Sequence, residues 1–396
     1  MCTSPLDSLE AHAFLLPALL LIQDILYRSA LRLARLLKFH PLHQKMKWIK
    51  HHDVKHHHSV LHNLIHTLQV MPSKIETSNP YTLHPNTIFP FSISIAPNDK
   101  ASAIEDYKKN TNITKIFTDG SSTNRKVGAS AVLYINDRQV AKLQYHLGAA
   151  SKHTVFKAKL VGMILAAHLL ATNQAAPLPV SIFVDNQAAI LAGEQPLSKP
   201  GHYLSIKFRE IMQEVFEQCN LSKCDITIHW IIGHRNIQGN EEADREAKQA
   251  ATDKNSLTPI DQLPMALHMK LPISTSALKQ EHRKDLKKKW QKTWEKSKCH
   301  THITTINSMT PSKKYLKATR FMPKSRSGHI ALNKHLYRIK HSNTPNCLQC
   351  DSSIPESVHH FLFECPHYKR ERHILRCEVG RAASSTADLL GTREAV

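Results

Sequence analysis

Three aspartates stand where a strand ends or a helix begins. Asp119 follows IFT and precedes Gly120, Asp185 follows IFV, and Asp244 lies in GNEEADREAK near a helix start. Strand ends of an α/β sheet meet at one edge, where such folds hold their ligands. Carboxylates gathered there repel one another unless cations separate them. Hard oxygen ligands with open positions suit Mg²⁺, and two such ions about 3.5 to 4 Å apart activate water and stabilise a leaving oxygen in phosphodiester hydrolysis. Each aspartate alone reads better as a turn former or helix cap. The three contexts together carry the inference.

A second constellation lies in CLQCDSSIPESVHHFLFECPHYKRERH. Cys347, Cys350, His360 and Cys365 form a C-x2-C-x9-H-x4-C pattern, and thiolates with an imidazole at such spacings can close a tetrahedral Zn²⁺ site. His359 is an alternative fourth ligand. The rival reading is a set of reduced cysteines packed around a small helix. Lys369, Arg370 and Arg372 would let such a module touch a nucleic-acid backbone.

The elements that must position these residues follow from periodicity. The spacing predicts strands at 115–119, 127–135 and 139–147, a helix at 154–172, a strand at 180–185, a short helix from 187, a helix at 201–219, a strand at 225–231 and a helix at 239–252. Three strands joined by short turns make an antiparallel meander, and the later strands alternate with helices. The expected fold class is therefore α/β, a mixed five-stranded sheet flanked by helices, with a helical N-terminal region and a small C-terminal zinc module.

The flanks read differently. Residues 9–38 carry Leu and Ile at helical spacing with Arg28, Arg32 and Arg35 opposite. Residues 39–66 hold nine of the 28 histidines, and read as a basic helix facing solvent or nucleic acid, since no Cys or ordered ligand spacing accompanies them. Five prolines between 72 and 100 suggest an extended linker. The basic run SALKQEHRKDLKKKWQKTWEKSK is interrupted by Trp290 and Trp294, four residues apart, which gives it one apolar edge. The expected organisation is a helical His-rich region at 1–71, a linker at 72–112, the sheet domain at 113–252, a linker with a basic helix at 253–310, and a basic region with the zinc module at 311–396.

Composition narrows the function. The net charge is +21, yet residues 113–252 carry only +3, so the basic character belongs to the flanks and points to a polyanionic partner. Eight cysteines, three of them bunched, do not make a disulfide scaffold, which favours an intracellular, reducing setting in the nucleus or cytoplasm. The run AFLLPALLLIQDIL lacks a basic leader, is interrupted by Pro17 and is too short to cross a bilayer. It reads as a packed helix of a protein that is neither secreted nor bound to a membrane.

The blocks FTDGSS, GASAVLY, HTVFKAKLVGMILAAHLL, IFVDNQAAI and WIIGHRNIQGNEEADREAKQA, in this order over about 113–252, resemble the ribonuclease H domain of retrotransposon reverse transcriptases. The flanks resemble the post-polymerase region and C-terminal tail of fungal non-LTR (LINE-like) retrotransposon polyproteins, in which a C-terminal Cys/His element also occurs. A Tyr-x-Asp-Asp polymerase motif is absent from the sequence, so the chain looks like the C-terminal portion of such a polyprotein.

The resemblance implies a ribonuclease H-like fold that cleaves the RNA strand of an RNA/DNA hybrid with two Mg²⁺ ions, Mn²⁺ substituting, beside an upstream reverse transcriptase domain. It places Asp119, Asp185 and Asp244 as the first, third and fourth members of an Asp, Glu, Asp, Asp metal-binding set, and His234 as the loop histidine that assists proton transfer and product release. The rival reading of His234 is a loop histidine contacting backbone phosphate. Gly120, Ser121, Asn186 and Asn240 match substrate-contacting positions.

The departure is the second acid, where this sequence has Lys159, with Lys157 a second basic residue where relatives often carry Glu. An ammonium has no lone pair for a metal, and it places a cation beside the site of two more. Metal binding and cleavage are expected to be impaired in this copy unless Glu241, Glu242 or Glu246 supplies the missing ligand. Two functions stay open: a weakened RNA/DNA-hybrid endonuclease, or a catalytically inactive RNA- or hybrid-binding remnant.

Overall fold

The computed structural model describes residues 6–13, 15–37, 39–52, 59–78, 90–95, 100–173, 175–195, 199–219, 222, 225–233, 237–253, 255–296 and 328–391. Two compact units emerge: Leu26–His282, and a second one combining Met1–Ile25 with Arg283–Val396.

In chain order the helices and strands up to the basic run are α1 (Leu6–His12), α2 (Ala18–Ala34), α3 (Pro41–His51), α4 (Val60–His66), β1 (Ser92–Ser94), α5 (Lys100–Lys109), β2 (Thr114–Thr123), β3 (Lys126–Ile135), β4 (Arg138–Ala149), α6 (Val155–Thr172), β5 (Val180–Val184), α7 (Gln187–Glu194), α8 (His202–Gln218), β6 (Ile226–Trp230), α9 (Gln238–Thr252) and α10 (Thr275–Lys296). The helix expected over 9–38 is two helices, because Pro17, which cannot donate into a preceding turn, stands directly before α2.

The sheet has the order β1-β6-β5-β2-β3-β4. Strands β2, β3 and β4 are the antiparallel meander, while β5, β6 and β1 run parallel to β2. Six strands replace the five expected. The extra one, Ser92–Ser94, comes from the stretch read as a linker and pairs with Thr227, Ile228 and His229. Three residues between prolines are too few to show a period of two, so this strand exists through its partner rather than its own pattern.

Central strand β2 is buried on both faces. Ile116 joins the core formed with α6, α7 and α8, whereas Phe117 joins Phe183, Ile231 and Ala243 on the α9 side. Tyr107 of α5 closes that second layer, with its ring 5.2 Å from Phe183. Apolar residues surround most of α6 because it is covered by the sheet on one side and α8 on the other. By length and mean hydropathy (1.5) α6 could cross a membrane, but it is mostly buried here as a core helix.

The sheet unit reaches beyond 113–252 because flanking segments are stitched into it. Tyr27, Ala30, Leu31 and Ala34 of α2 pack with Leu68, Ile75, Ile273 and Leu278. Backbone bonds join Glu76 N to Ile273 O (3.0 Å) and Ile273 N to Lys74 O (2.7 Å). In the other unit, Leu286 and Trp290 of α10 pack on Leu20, and Leu332, Val358 and Leu390 form a small core beside the cysteines.

Candidate active site

Asp119 lies within β2, which runs on to Thr123 where the spacing predicts a strand ending at 119, because the antiparallel pairing with β3 continues past it. Asp185 lies directly after β5, and Asp244 in the second turn of α9. The sheet topology brings β2 and β5 side by side with Thr118 paired to Val184, so Asp119 and Asp185, each one residue beyond that pair, are neighbours. Helix α6 begins beside them, started by Thr154, whose hydroxyl accepts from Lys157 N at 3.2 Å. Its second turn is pressed onto β2: a Cβ added to Gly120 would lie 2.5 Å from Lys159 N.

Lys159 fills the space between the aspartates. Its Nζ donates to Asp119 Oδ1 (2.7 Å), Asp185 Oδ1 (2.6 Å) and Asp185 Oδ2 (2.7 Å). A lysine ammonium has three donors, and all three are directed at carboxylate oxygens. The three side chains are largely enclosed, Lys159 being 13% exposed. Burial opposes the charge on Lys159, but the two carboxylates outweigh it and raise its pKa above the ordinary value. Burial lifts the Asp119 carboxyl, Lys159 pulls it back down, and Asp185 adds to the lift.

Asp244 has its own cation, the Lys248 ammonium one turn along α9. Its hydrogen bond to Asp244 is the main influence raising the Lys248 pKa, and Asp119 and Glu241 also act on it. The sequence reading passed over Lys248, although its i+4 spacing from Asp244 was the available signal.

The residues present do not fit a pair of Mg²⁺ ions. The ion that would bridge Asp119 and Asp185 must displace an ammonium already bonded to three of their four oxygens. Glu246 and Glu242, two of the three glutamates that could compensate, are engaged elsewhere. Glu246 is buried on the other side of α9, accepting from Lys142 (2.8 Å) and Gln144 (2.6 Å), while Glu242 pairs with Arg245.

Lys157 does not belong to this cluster. Two residues along a helix is a rotation of about 200°, and Lys157 instead donates to Pro272 O and lies 5.4 Å from the Tyr203 ring centroid. Burial lowers its pKa to about 8 against the opposing pull of Glu76. Glu76 is itself buried, accepting from Thr275 N (2.8 Å), Thr275 Oγ1 (2.9 Å) and Gly201 N (3.0 Å). Of the two lysines, Lys159 faces the aspartates and Lys157 ties α6 to the flanking segments.

Of the other expected site residues, Gly120 is the close-packing point against α6, and Ser121 is half-buried on the same strand. Asn186 caps α7, its Oδ1 accepting from Ala189 N at 2.9 Å. Asn240 is buried in the first turn of α9. His234 lies outside the described residues; Gly233 before it is, and a Cβ there would come 3.3 Å from Asp185 Oδ2.

The C-terminal constellation comes together. The ligand atoms of Cys347, Cys350, His360 and Cys365 all lie within 4.8 Å of one another. Cys347 Sγ is 3.9 Å from Cys365 Sγ, and Cys350 Sγ is 3.4 Å from His360 Nε2. A tetrahedron with Zn–S arms near 2.3 Å has edges of about 3.8 Å, so these residues fit a zinc ion. His360 takes the fourth place; His359 is exposed and its Nδ1 faces Glu364 Oε1 at 3.2 Å. Burial pushes the Cys347 thiol up to about 11, whereas hydrogen bonds from Ser352 pull Cys350 down to about 6.

The sheet, its order and the aspartates at its edge define a ribonuclease H-like fold. Residues 111–252 match the family profile described as RNase H. Similar solved structures include RNase H1 from the archaeon Halobacterium salinarum NRC-1 (18% identity, 35% of this chain and 98% of that one, TM-score 0.27). Another is the N-terminal RNase H domain of rv2228c from Mycobacterium tuberculosis (19% identity, 35% and 92%, TM-score 0.27). A third is prototype foamy virus protease-reverse transcriptase (20% identity, 36% of this chain and 21% of that one, TM-score 0.27). No curated protein matches the chain.

Proposed function

We propose that residues 111–252 recognise RNA/DNA hybrid, and that hydrolysis of the RNA strand is suppressed in this copy by Lys159. The family match supports the substrate class, and Asp119, Asp185 and Asp244 stand in that family's metal-binding blocks. Bound Mg²⁺ would supply water activation and leaving-group stabilisation in such a site. What this chain supplies there is a tethered ammonium whose donors are consumed by Asp119 and Asp185. The carrying observation is this set of three bonds at 2.6 to 2.7 Å.

The zinc-compatible module and the basic flanks support placing the chain in an intracellular retrotransposon polyprotein of the fungal non-LTR kind, downstream of a reverse transcriptase domain. Zn²⁺ held by Cys347, Cys350, His360 and Cys365 would be structural, since four protein ligands leave no open position.

The test is Mg²⁺- or Mn²⁺-dependent cleavage of the end-labelled RNA strand of a hybrid, by this chain and by Lys159→Glu. A silent native chain and an active Lys159→Glu variant are expected. Equal rates from the two would overturn the assignment to Lys159.

A further inference from the structure

We infer that α3 carries a stacking platform for single-stranded nucleic acid, formed by the rings of Trp48 and His52 with Lys45 and Lys47 beside them. His43, Met46 and Ile49 recur every three residues and are buried, which fixes the rotation of this helix. Trp48 stands two residues from Met46, about 200° around the helix, and so lies opposite the buried seam. It is 54% exposed, whereas tryptophan is highly buried on average. Gln44, Lys45 and His52, at i−4, i−3 and i+4 from Trp48, share its face, and Lys47 lies at the edge of that face. All four are exposed.

The indole is held in place. The His52 ring lies against it, with centroids 4.7 Å apart and planes 15° from parallel. The Trp48 carbonyl accepts from the His52 backbone N–H (3.0 Å) and from His52 Nδ1 (2.9 Å), so Nδ1 carries a proton and the imidazole is fixed in the stacked pose. A base that stacks on the other face of the indole meets a ring already ordered, which lowers the entropic cost of binding.

The charge around the platform has one sign. From Ile25 to His52 the chain has seven Lys or Arg and no Asp or Glu. The elements packed on α3, which are α4 and the turn Pro72–Lys74, contain no acid either. Glu76, just past that turn, is buried and bonded to Thr275 and Gly201. Asp53 lies outside the described residues. Among the described residues, Lys45 and Lys47 have no acidic partner. An aromatic ring among cations free of carboxylates suits a strand that presents bases and phosphates together, the bases to stack and the phosphates to be neutralised. Paired bases are stacked on one another, so a single strand is the form that offers them.

The chemistry favours this partner over two others. A helix on a lipid surface turns its apolar face to the bilayer, but Met46 and Ile49 of α3 face inward, packed with Ile65, Leu33 and Leu61. A protein interface has an apolar core from which lysine is depleted, and the outer face of α3 sets its one indole among Gln44, Lys45, Lys47 and His52.

The site is independent of the Lys159 reading. The experiment uses the full chain and a fluorescein-labelled oligodeoxythymidine about 15 nucleotides long, which has no RNA strand to cleave, beside an abasic strand with the same number of phosphates. The native chain should bind the thymidine strand roughly tenfold more tightly than the abasic one, and Trp48→Ala should bind both at the abasic level. Trp48→Phe keeps a ring and should retain most of the preference. Lys45→Gln combined with Lys47→Gln should lower the log–log salt slope by about 1 on both strands while leaving the preference intact. A native chain that does not distinguish the strands would overturn the site, as would a Trp48→Ala variant that keeps the native preference. Equal losses on both strands in Trp48→Ala would show a structural effect and overturn the stacking. Trp48-dependent capture of phosphatidylserine vesicles, or a Trp48-dependent dimer in sedimentation, with the thymidine preference unchanged, would overturn it in favour of a lipid surface or a second copy.

Discussion

The backbone nitrogen of Lys159 lies where no side chain at position 120 could tolerate it: the nearest approach to a Cβ on Gly120 would be 2.5 Å, with Ala158 C at 2.6 Å. Strand β2 and helix α6 are in backbone contact at the point where each contributes a charged residue to the site. The lysine therefore cannot retreat by shifting its helix. Gly120→Ala should separate the two elements and cost about 1 to 3 kcal/mol or more, as overpacking does. Urea unfolding followed by circular dichroism measures it, and an unchanged midpoint would contradict this packing.

Mg²⁺ should not stabilise the native chain. Titrated against a KCl control of equal ionic strength, the native melting temperature should stay flat, because Lys159 holds the carboxylates. For Lys159→Glu it should rise by a few degrees, since a ligand at about 100 times its dissociation constant adds about 2.7 kcal/mol. A native chain stabilised as strongly as the variant would show that the ammonium is readily displaced. This measurement is independent of turnover.

Removing Glu76 should destabilise the sheet unit although its hydrogen bonds go to Thr275 and Gly201 and not to the aspartates. Its carboxylate satisfies Thr275 and Gly201 and acts on buried Lys157. Glu76→Ala leaves those groups unpaired, at a cost of about 3 kcal/mol. Double substitution with Lys157→Met should recover part of the loss, because the buried charge is then gone too. Additive losses in the double-mutant cycle would argue against the coupling.

Stability should fall in mildly acidic solution through His153. Burial, followed by Lys157, Lys152 and His146, lowers its pKa to about 3 from 6.5. Between those values the unfolded chain binds a proton that the folded chain does not, so stability is present above pH 6.5 and declines as pH falls, by at most about 1.4 kcal/mol per unit. His153→Gln should flatten that part of the profile in urea titrations at a series of pH values. An identical slope in the variant would assign the loss to other groups.

Chelation should act locally on the C-terminal module. Cys365→Ser, or removal of zinc by a strong chelator, should melt the small core of Leu332, Val358 and Leu390 while leaving the sheet unit's transition in place. Zinc content by mass spectrometry and the two-transition melting profile check both halves of this expectation. A chain that carries no zinc and shows a fully structured module would favour the packed-cysteine alternative.

The β-branched runs of the strands, the apolar run of α6 and the polar turns between them made the sheet domain readable, although β2 continues to Thr123, four residues past its expected end. The aspartates were readable because they sit in ordered blocks, although only Asp185 stands at a strand end. Other features depend on partners distant in the chain. Glu76 meets Thr275 across 199 positions, and nothing near either residue signals the pairing. The opposite directions of Lys157 and Lys159 follow from helical rotation. Strand β1 was hidden in a proline-rich stretch because a sheet edge, not a local pattern, makes it a strand.

That last strand has a bearing on handling the protein. Ser92–Ser94 covers the outer side of β6, whose other side is occupied by β5. Cutting the chain down to the matched segment 111–252 would strip this cover and present the backbone donors and acceptors of Ile226–Trp230 to solvent. A bare, largely apolar strand edge is a template for pairing between molecules, so the shortened domain would tend to self-associate and lose solubility, and the upstream residues serve as its protection against aggregation.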